Sequence, residues 1–449
     1  MKLSNFFNFI EIKDNVFAIF NTLMMEILFV NRQELLDILR LNGDVDTLLK
    51  YGIYVRDDNR DDMALDLVKS HYISNTKKVG LMYFILSTGC NLACKYCFIE
   101  NNISNNHSEI NMSADLAILA LDKYINYLND NPDIKQPQII FYGGEPFINY
   151  SVMKTIVNYA KSKNSNIFFS LVTNATLIDD DIIHFLKDNN INVGISIDGP
   201  QKINDANRVF RGSDRSVYEQ VINTVEKFKA NDLNFGLSIT ISKDLLEHKQ
   251  DYFNWIKTLN TPNIFYNLYH FSESERNVDW ESFYKQMDSF IFESFDYLHP
   301  LKISDGRIAR KIDSIFNKEF KFSDCASVGA NQLTLKPNGE VTLCHGYCKT
   351  SKNILGNIKE NSISELIHTS NADLWTKLPP ICRDECLKCE ALYLCGGGCA
   401  VQSENLFSNI TAIDKCFCIH SKDSLKWILT KIYSSLIKNT DNSSLKEVI

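Results

Sequence analysis

Four things are scarce or missing in this 449-residue chain. No run reaches the ~18 apolar residues of a membrane span, so no membrane partner is expected. The opening residues Met1-Lys2-Leu3-Ser4-Asn5 lead into neither a secretory apolar core nor a cleavage site, and a cytoplasmic location follows as the expectation. Basic residues are not in excess: 47 Lys and Arg against 55 Asp and Glu leave a formal charge of −8. That balance argues against a protein that grips nucleic acid by its phosphates. Finally, the first 89 residues hold no cysteine, although thirteen follow. Three of these lie between 90 and 97 and ten between Cys325 and Cys418. A disulfide scaffold would not be spread this way, and in a reducing compartment the pattern points to metal or redox chemistry.

The length suggests two or three domains at about 150 residues each. Three segments are expected, at 1–78, 79–300 and 301–449. In the first, short β-like runs at Phe6–Ile12, Val16–Phe20 and Met24–Val30 precede Asn31 and Glu34, which are spaced as a helix-capping box. Helices carrying Leu35, Leu36, Ile38 and Leu39, then Val45–Leu49, lead to a strand-like Gly52–Val55. This order suggests a small winged-helix-like unit. Asp57–Ser74 reads as a linker with one short helix.

From 79 to 300, strand patterns at 81–87, 138–142, 166–173, 191–197, 233–241 and 263–269 alternate with helical ones. Six such βα units imply parallel strands with right-handed crossovers, two short of a closed eight-stranded barrel. In 191–197 and 233–242, apolar residues alternate with small polar ones such as Ser196, Ser238 and Thr240. The apolar set should pack on outer helices and the polar set should line a wet interior.

The first of these strands runs into Cys90-Asn91-Leu92-Ala93-Cys94-Lys95-Tyr96-Cys97-Phe98, a C-x3-C-x2-C spacing. A four-iron cluster is usually held by four cysteines. Three thiolates on one tight loop would leave one iron free for a small molecule. A zinc loop is the competing reading, but zinc would need a fourth ligand. The pattern, with Phe98 after it, resembles the signature loop of radical S-adenosylmethionine enzymes. In that family the free iron chelates the amino and carboxylate groups of S-adenosylmethionine, and reduction releases a 5′-deoxyadenosyl radical. Other strand ends fit the resemblance. Gly143-Gly144-Glu145-Pro146 is similar to the family motif that binds the cofactor's amino group, and Glu145 is suited to an ammonium. Thr173-Asn174-Ala175-Thr176 resembles a segment in which the family has Gly where Ala175 stands. By the same resemblance Ser196 and Arg208 would hold the cofactor's carboxylate, a role suited to the planar fork of arginine.

After residue 301, Cys325 precedes a hairpin pattern that turns at Asn338-Gly339 and ends in Cys344. Cys348, Cys382, Cys386, Cys389, Cys395, Cys399, Cys416 and Cys418 follow, the last two ahead of an amphipathic helix with Leu425, Ile428, Leu429, Ile432 and Leu436 on one face, and a polar tail from Lys438. The order C…G-x4-C…C-x2-C-x5-C-x3-C…C resembles the SPASM domain, which carries two auxiliary four-iron clusters. The resemblance implies three clusters in all. It assigns Cys325, Cys344 and Cys399 to the first auxiliary cluster, with Cys348, Cys382 or an open site as the fourth position. It assigns Cys386, Cys389, Cys395 and Cys418, or else Cys416, to the second.

The chain is therefore expected to be an α/β protein: a winged-helix-like module, a partial (β/α)6 radical S-adenosylmethionine barrel and a cysteine-rich SPASM domain. The function this implies is maturation of a ribosomally made precursor peptide by hydrogen abstraction and formation of a thioether, ether or carbon–carbon link. Its first module would grip the peptide's leader, and a flavodoxin- or ferredoxin-type donor would supply electrons. An anaerobic sulfatase maturase forming formylglycine is the alternative enzyme. A non-catalytic iron–sulfur or zinc protein is the alternative of another class.

Overall fold

In a computed structural model of the chain, the described residues are 1–57, 59–99, 109–163, 165–259 and 261–439. The polar tail expected from Lys438 lies, beyond residue 439, outside them.

Near the N-terminus β1 (Lys2–Leu3) is followed by β2 (Phe7–Lys13), β3 (Val16–Asn21) and β4 (Ile27–Asn31), which form an antiparallel sheet in that order. Asn15 supplies the left-handed residue of the first turn, at φ 61°. The capping box is present: Asn31 Oδ1 accepts from the Glu34 N–H at 3.0 Å, and Glu34 Oε2 accepts from the Asn31 N–H at 2.8 Å. Helices Arg32–Leu39 and Val45–Lys50 follow, and β5 (Tyr54–Val55) pairs back with β1. One face of the sheet packs Phe17, Ile19 and Leu28 against Leu35, Ile38 and Tyr54. The other packs Ala18, Phe20 and Ile27 against Leu425, Ile428 and Leu429 of the last helix, Lys415–Asn439.

The segment read as a linker is instead a 16-residue helix, Asn59–Ser74. Tertiary contact sustains it: Ala64, Leu65, Val68 and Tyr72 pack on Phe322, Ile381, Leu387 and Leu392. Met63, Leu67 and Ile73 stay exposed and blur the sequence pattern.

The six expected strands are present as β6 (Leu81–Ser87), β7 (Gln138–Gly143), β8 (Phe168–Thr173), β9 (Asn192–Ser196), β10 (Phe235–Thr240) and β11 (Asn263–Asn267), parallel and in sequential order. Their sheet is wider than expected. A two-residue β12 (Ser304–Asp305) extends it beyond β11. On the other side β13 (Gln332–Leu335) pairs in parallel with β6, and β14 (Glu340–Thr342) and β15 (Ile354–Asn357) continue antiparallel, giving ten strands. The hairpin turns at Gly339, φ 93°. Joining β6 covers an edge that would otherwise expose unpaired backbone. The inside–outside alternation holds: Val193, Ile195, Leu237 and Ile239 are buried under the helices, whereas Ser196, Ser238 and Thr240 are half-buried and line the lumen.

Candidate functional site

A cavity of about 370 Å³ opens at the C-terminal ends of β6 to β11, where ligands bind in sheets of this kind. Cys90, Cys94 and Cys97 line it together with Glu145, Asn174, Ser196 and Arg208. A larger cavity of about 510 Å³, between helices Asn59–Ser74 and Gly306–Phe316, has no thiol in its wall. The cysteine loop is fixed by backbone bonds: the Ala93 N–H donates to Val209 O at 2.8 Å and the Lys95 N–H to Asn207 O at 2.9 Å. On its other side the Gly144 N–H donates to Ser87 O at 3.0 Å and the Glu145 N–H to Gly89 O at 2.9 Å.

This contact explains the glycine pair more directly than approach to a ligand does. A Cβ on Gly143 would stand 2.2 Å from Ser87 O, and one on Gly144 would stand 2.1 Å from Gly89 O. Backbone on both sides cannot move aside as a side chain would. Gly144→Ala is expected to cost about 1–3 kcal/mol, by overpacking, and to reduce iron bound by the cysteine loop. Denaturant unfolding and iron analysis would check both. Gly80→Ala, where an added Cβ would meet nothing nearer than 3.6 Å, is the control for glycine replacement without overpacking.

Glu145 is buried and spends its carboxylate on the next strand end. Its Oε1 accepts from Thr173 Oγ1 at 2.7 Å and from the Phe147 N–H at 3.2 Å, and its Oε2 from the Asn174 N–H at 2.8 Å. Burial pushes its carboxyl up to about 7 against those bonds. Asn174 in turn donates to Asn91 Oδ1 at 2.9 Å and lies 3.9 Å from the Cys90 sulfur. Ala175, where the resemblance has glycine, adopts φ 56°. The position needs a left-handed residue, which alanine fills at a cost of about 1–2 kcal/mol.

Arg208 departs from its expected role. Its fork is already engaged: Nε donates to Asp198 Oδ2 at 3.0 Å and Nη2 to Asp198 Oδ1 at 3.1 Å. Asp198 also accepts from the Tyr96 hydroxyl and from the Thr240 N–H at 3.0 Å. The two parallel bonds assigned to a cofactor carboxylate therefore hold Asp198, and Arg208 presents only the rest of its guanidinium, near Cys94. Asp198 was missed in sequence because Asp198-Gly199-Pro200 looks like an ordinary turn.

Two further wall residues gave no sequence signal. His345 follows Cys344, and His270 ends the segment after β11. Neither Nδ1 has a hydrogen-bond partner among the described residues, and burial pushes both imidazoles down to about 4. His345 stacks on Tyr83 of β6 at 4.7 Å and meets Tyr142 of β7 edge-on. Phe98 lies 5.7 Å from each imidazole.

The ten later thiols separate into groups. Cys386, Cys389 and Cys395 all lie close enough to Cys418 to raise its pKa, after the larger effect of burial. Cys325 and Cys344 act in the same way on Cys399. Cys416 and Cys418 lie in the first turn of the last helix and do not precede it as the sequence suggested; Cys416 is fully buried and interacts with Gln402. Cys348 is buried with Ile85 and Ile99, influenced by Cys97 and itself acting weakly on Cys344. Cys382 stands apart from the other thiols: it is exposed, its sulfur is 3.9 Å from Thr376 O, and it faces Tyr72 and Lys69. Among the described residues no three His, Cys, Asp or Glu side chains come close enough to share a single metal ion. A four-iron cluster asks for a looser gathering, with each thiolate meeting its own iron. By donor chemistry, the three thiols on one cavity wall and the polar groups beside them fit such a cluster with a small zwitterion next to it.

A thiol-bearing loop at the rim of a parallel, polar-lined barrel, with a second thiol-rich region on the same sheet, defines a cluster-dependent barrel enzyme. Family comparison makes the class definite: residues 84–256 match the radical SAM superfamily and residues 325–390 an iron–sulfur cluster-binding SPASM domain. The chain belongs to the radical S-adenosylmethionine enzymes with a C-terminal SPASM domain, and four-iron clusters and S-adenosylmethionine are the cofactors of that class. Among similar proteins is the radical SAM cyclopropyl synthase TigE of Paramaledivibacter caminithermalis, 27% identical over 77% of this chain and 73% of that one. A cysteine-type anaerobic sulfatase-maturating enzyme of Clostridium perfringens is 28% identical over 70% of this chain and 86% of its own length. Among solved structures, native anSMEcpe with bound AdoMet superposes with a TM-score of 0.68 at 22% identity, covering 80% of this chain and all of that one. Streptococcus suis SuiB gives 0.54 at 13% identity, covering 92% and 98%. At these identities the superpositions speak for the fold alone. Among the described residues no helix is long and apolar enough to cross a membrane.

Proposed function

We propose that this protein is a maturase of a ribosomally made peptide. In this reading Cys90, Cys94 and Cys97 hold the reducing cluster, and Gly143, Gly144, Glu145, Asn174, Ser196, Arg208 and Phe98 shape the place of S-adenosylmethionine. Bound there, the pair supplies a primary carbon radical, which no protein side chain makes. The observation that carries the reading is the meeting of three thiols with a polar lumen in one 370 Å³ cavity. The uncharged imidazoles of His270 and His345 stand on the wall formed with the C-terminal region and would lie against a peptide held in the cavity. Cys325, Cys344 and Cys399 hold one auxiliary cluster, and Cys386, Cys389, Cys395 and Cys418 the other.

The first 78 residues are the leader-binding module, taking the leader as an added strand on the edge of the β2–β4 sheet. Phe9 on β2 is 45% exposed beside Phe7 and Phe17 and gives that edge an apolar anchor. Phe9→Glu is expected to weaken precursor binding at least tenfold by fluorescence anisotropy, with cofactor cleavage unchanged. Equal affinity would dismiss the module's role.

Sulfatase maturation is the second reading, favoured by the extent of the match to the C. perfringens enzyme. The deciding experiment is anaerobic. Reconstituted protein with S-adenosylmethionine and dithionite should yield 5′-deoxyadenosine. Mass spectrometry of co-expressed short cysteine-containing peptides should then show loss of hydrogen within a new link. Formylglycine in a sulfatase-derived peptide, with no change in the short peptides, would select the second reading.

A further inference from the structure

Helix Gly306–Phe316 carries three cations at positions three and four apart, Arg307, Arg310 and Lys311, and so on neighbouring parts of one face. The face points inward: Arg307 and Lys311 are only 6% and 3% exposed. Among the described residues Asp324 is the one carboxylate in ion-pair contact with any of them, 2.7 Å from Arg310 Nη2 and 3.9 Å from Arg307 Nη1. Among the described residues Lys311 Nζ has only the Leu394 carbonyl, at 3.5 Å, and the Phe417 ring at 5.2 Å. Arg307 Nε donates to Tyr266 O at 2.6 Å, but Arg307 Nη1 and Arg310 Nε have no hydrogen-bond partner among the described residues. Of two nearby carboxyls, burial pushes Asp288 well toward its neutral form but raises Asp305 only to about 6, so among the described residues Asp324 and Asp305 face three cations.

Buried charge without a counter-charge is costly, and proteins keep it where a ligand supplies the opposite sign. The thiols show where that ligand lies. Lys311 is close enough to Cys395 for the two charges to interact, and Asp324 is followed directly by Cys325. Lys311 thus adjoins one group of thiols through Leu394 and Cys395, and Arg310 pairs with the residue that precedes Cys325 of the other.

We propose that the buried cations of this helix, Lys311 foremost, raise the reduction potential of the auxiliary clusters and so make them the electron acceptors of the reaction. The inference rests on the reading of the C-terminal thiols given above. A cluster held by thiolates is anionic and becomes more so on reduction, and local charge and hydrogen bonding set its potential. When the substrate radical closes its new bond, one proton would leave to solvent and one electron would be taken up by a cluster held there. Positive charge beside such a cluster would favour its reduced form. Lys311 acts through the cluster and is a positioning residue.

The test is an anaerobic redox titration of the reconstituted full-length protein, followed by electron paramagnetic resonance, for the parent, Lys311→Met and Lys311→Arg. Lys311→Met is expected to lower the midpoint of an auxiliary cluster by about 59 mV or more, a tenfold change in a one-electron equilibrium. The cluster on Cys90, Cys94 and Cys97 should move less, and Lys311→Arg should restore the parent value. Arg310→Gln, at the half-buried edge of the same face, should shift the midpoint the same way and decides the matter if Lys311→Met does not fold. Unchanged midpoints in variants with full iron content overturn the inference while leaving the auxiliary clusters in place. Parent protein with iron at the first loop alone overturns both the inference and the reading beneath it.

Discussion

With Cys90, Cys94 and Cys97 all replaced by alanine, the reconstituted protein is expected to keep roughly two thirds of its iron, one four-iron cluster of three being lost, and to form no 5′-deoxyadenosine. The three thiols are only partly buried at the cavity wall, and main-chain bonds to Asn207 and Val209 hold the loop that carries them in addition to the packing of Cys90 and Cys94 on the core. Their removal should therefore leave the barrel folded, with a melting temperature near that of the parent. The cysteines of the two C-terminal groups keep their surroundings, whereas Cys348 loses its neighbour Cys97. Iron analysis, the electron paramagnetic resonance spectrum and chromatographic assay of 5′-deoxyadenosine together read the outcome. Continued cleavage of S-adenosylmethionine, or undiminished iron, would remove the foundation of the proposed function.

Asp198→Asn should be the most damaging single change to stability near the site, costing about 3–5 kcal/mol, as is usual when one partner of a buried pair is removed. The Asp198 side chain is fully buried and that of Arg208 only 9% exposed, so the orphaned guanidinium cannot turn to water. The loss would spread, because the same carboxylate receives Tyr96 from the cysteine loop and the Thr240 N–H from the end of β10. Equilibrium urea unfolding measures the cost. Adding Arg208→Met should recover part of it, since the buried charge is then gone, and the double-mutant cycle isolates the coupling. A cost under about 1 kcal/mol, the range of exposed ion pairs, would mean that the pair is not the clasp described.

The parts of this molecule that were legible in sequence are those written in local chemistry. Period-two alternation in 191–197 and 233–242 told which side of the strands faces the lumen. Asn338-Gly339 told where the hairpin turns, and Asn31 with Glu34 told where a helix begins. The thiol spacings told which loops gather sulfur. What stayed hidden depends on distant partners. Asp198 becomes a hub only when the ends of β9 and β10 meet the cysteine loop. His270 and His345 become wall residues only when segments 75 positions apart converge beneath Phe98. Arg208 lines the cavity, but the sequence could not tell that its fork is engaged, because the residue that occupies it lies ten positions back on another element. Helix Asn59–Ser74 was shortened for the same reason, since its apolar side is defined by Phe322 and Leu392 and not by its own pattern.

The backbone seam between Leu81–Phe84 and Gln332–Leu335 has a consequence for how the molecule can move. It stitches the thiol-rich C-terminal region onto the strand that delivers the cysteine loop, and His345 lies across the join on Tyr83. The two regions cannot gape like the shells of a clam without tearing a ladder of main-chain bonds. Any guest must therefore slip in past the rim loops, and the span from the cysteine loop to Cys344, just past β14, is as constant as the weave of the sheet itself.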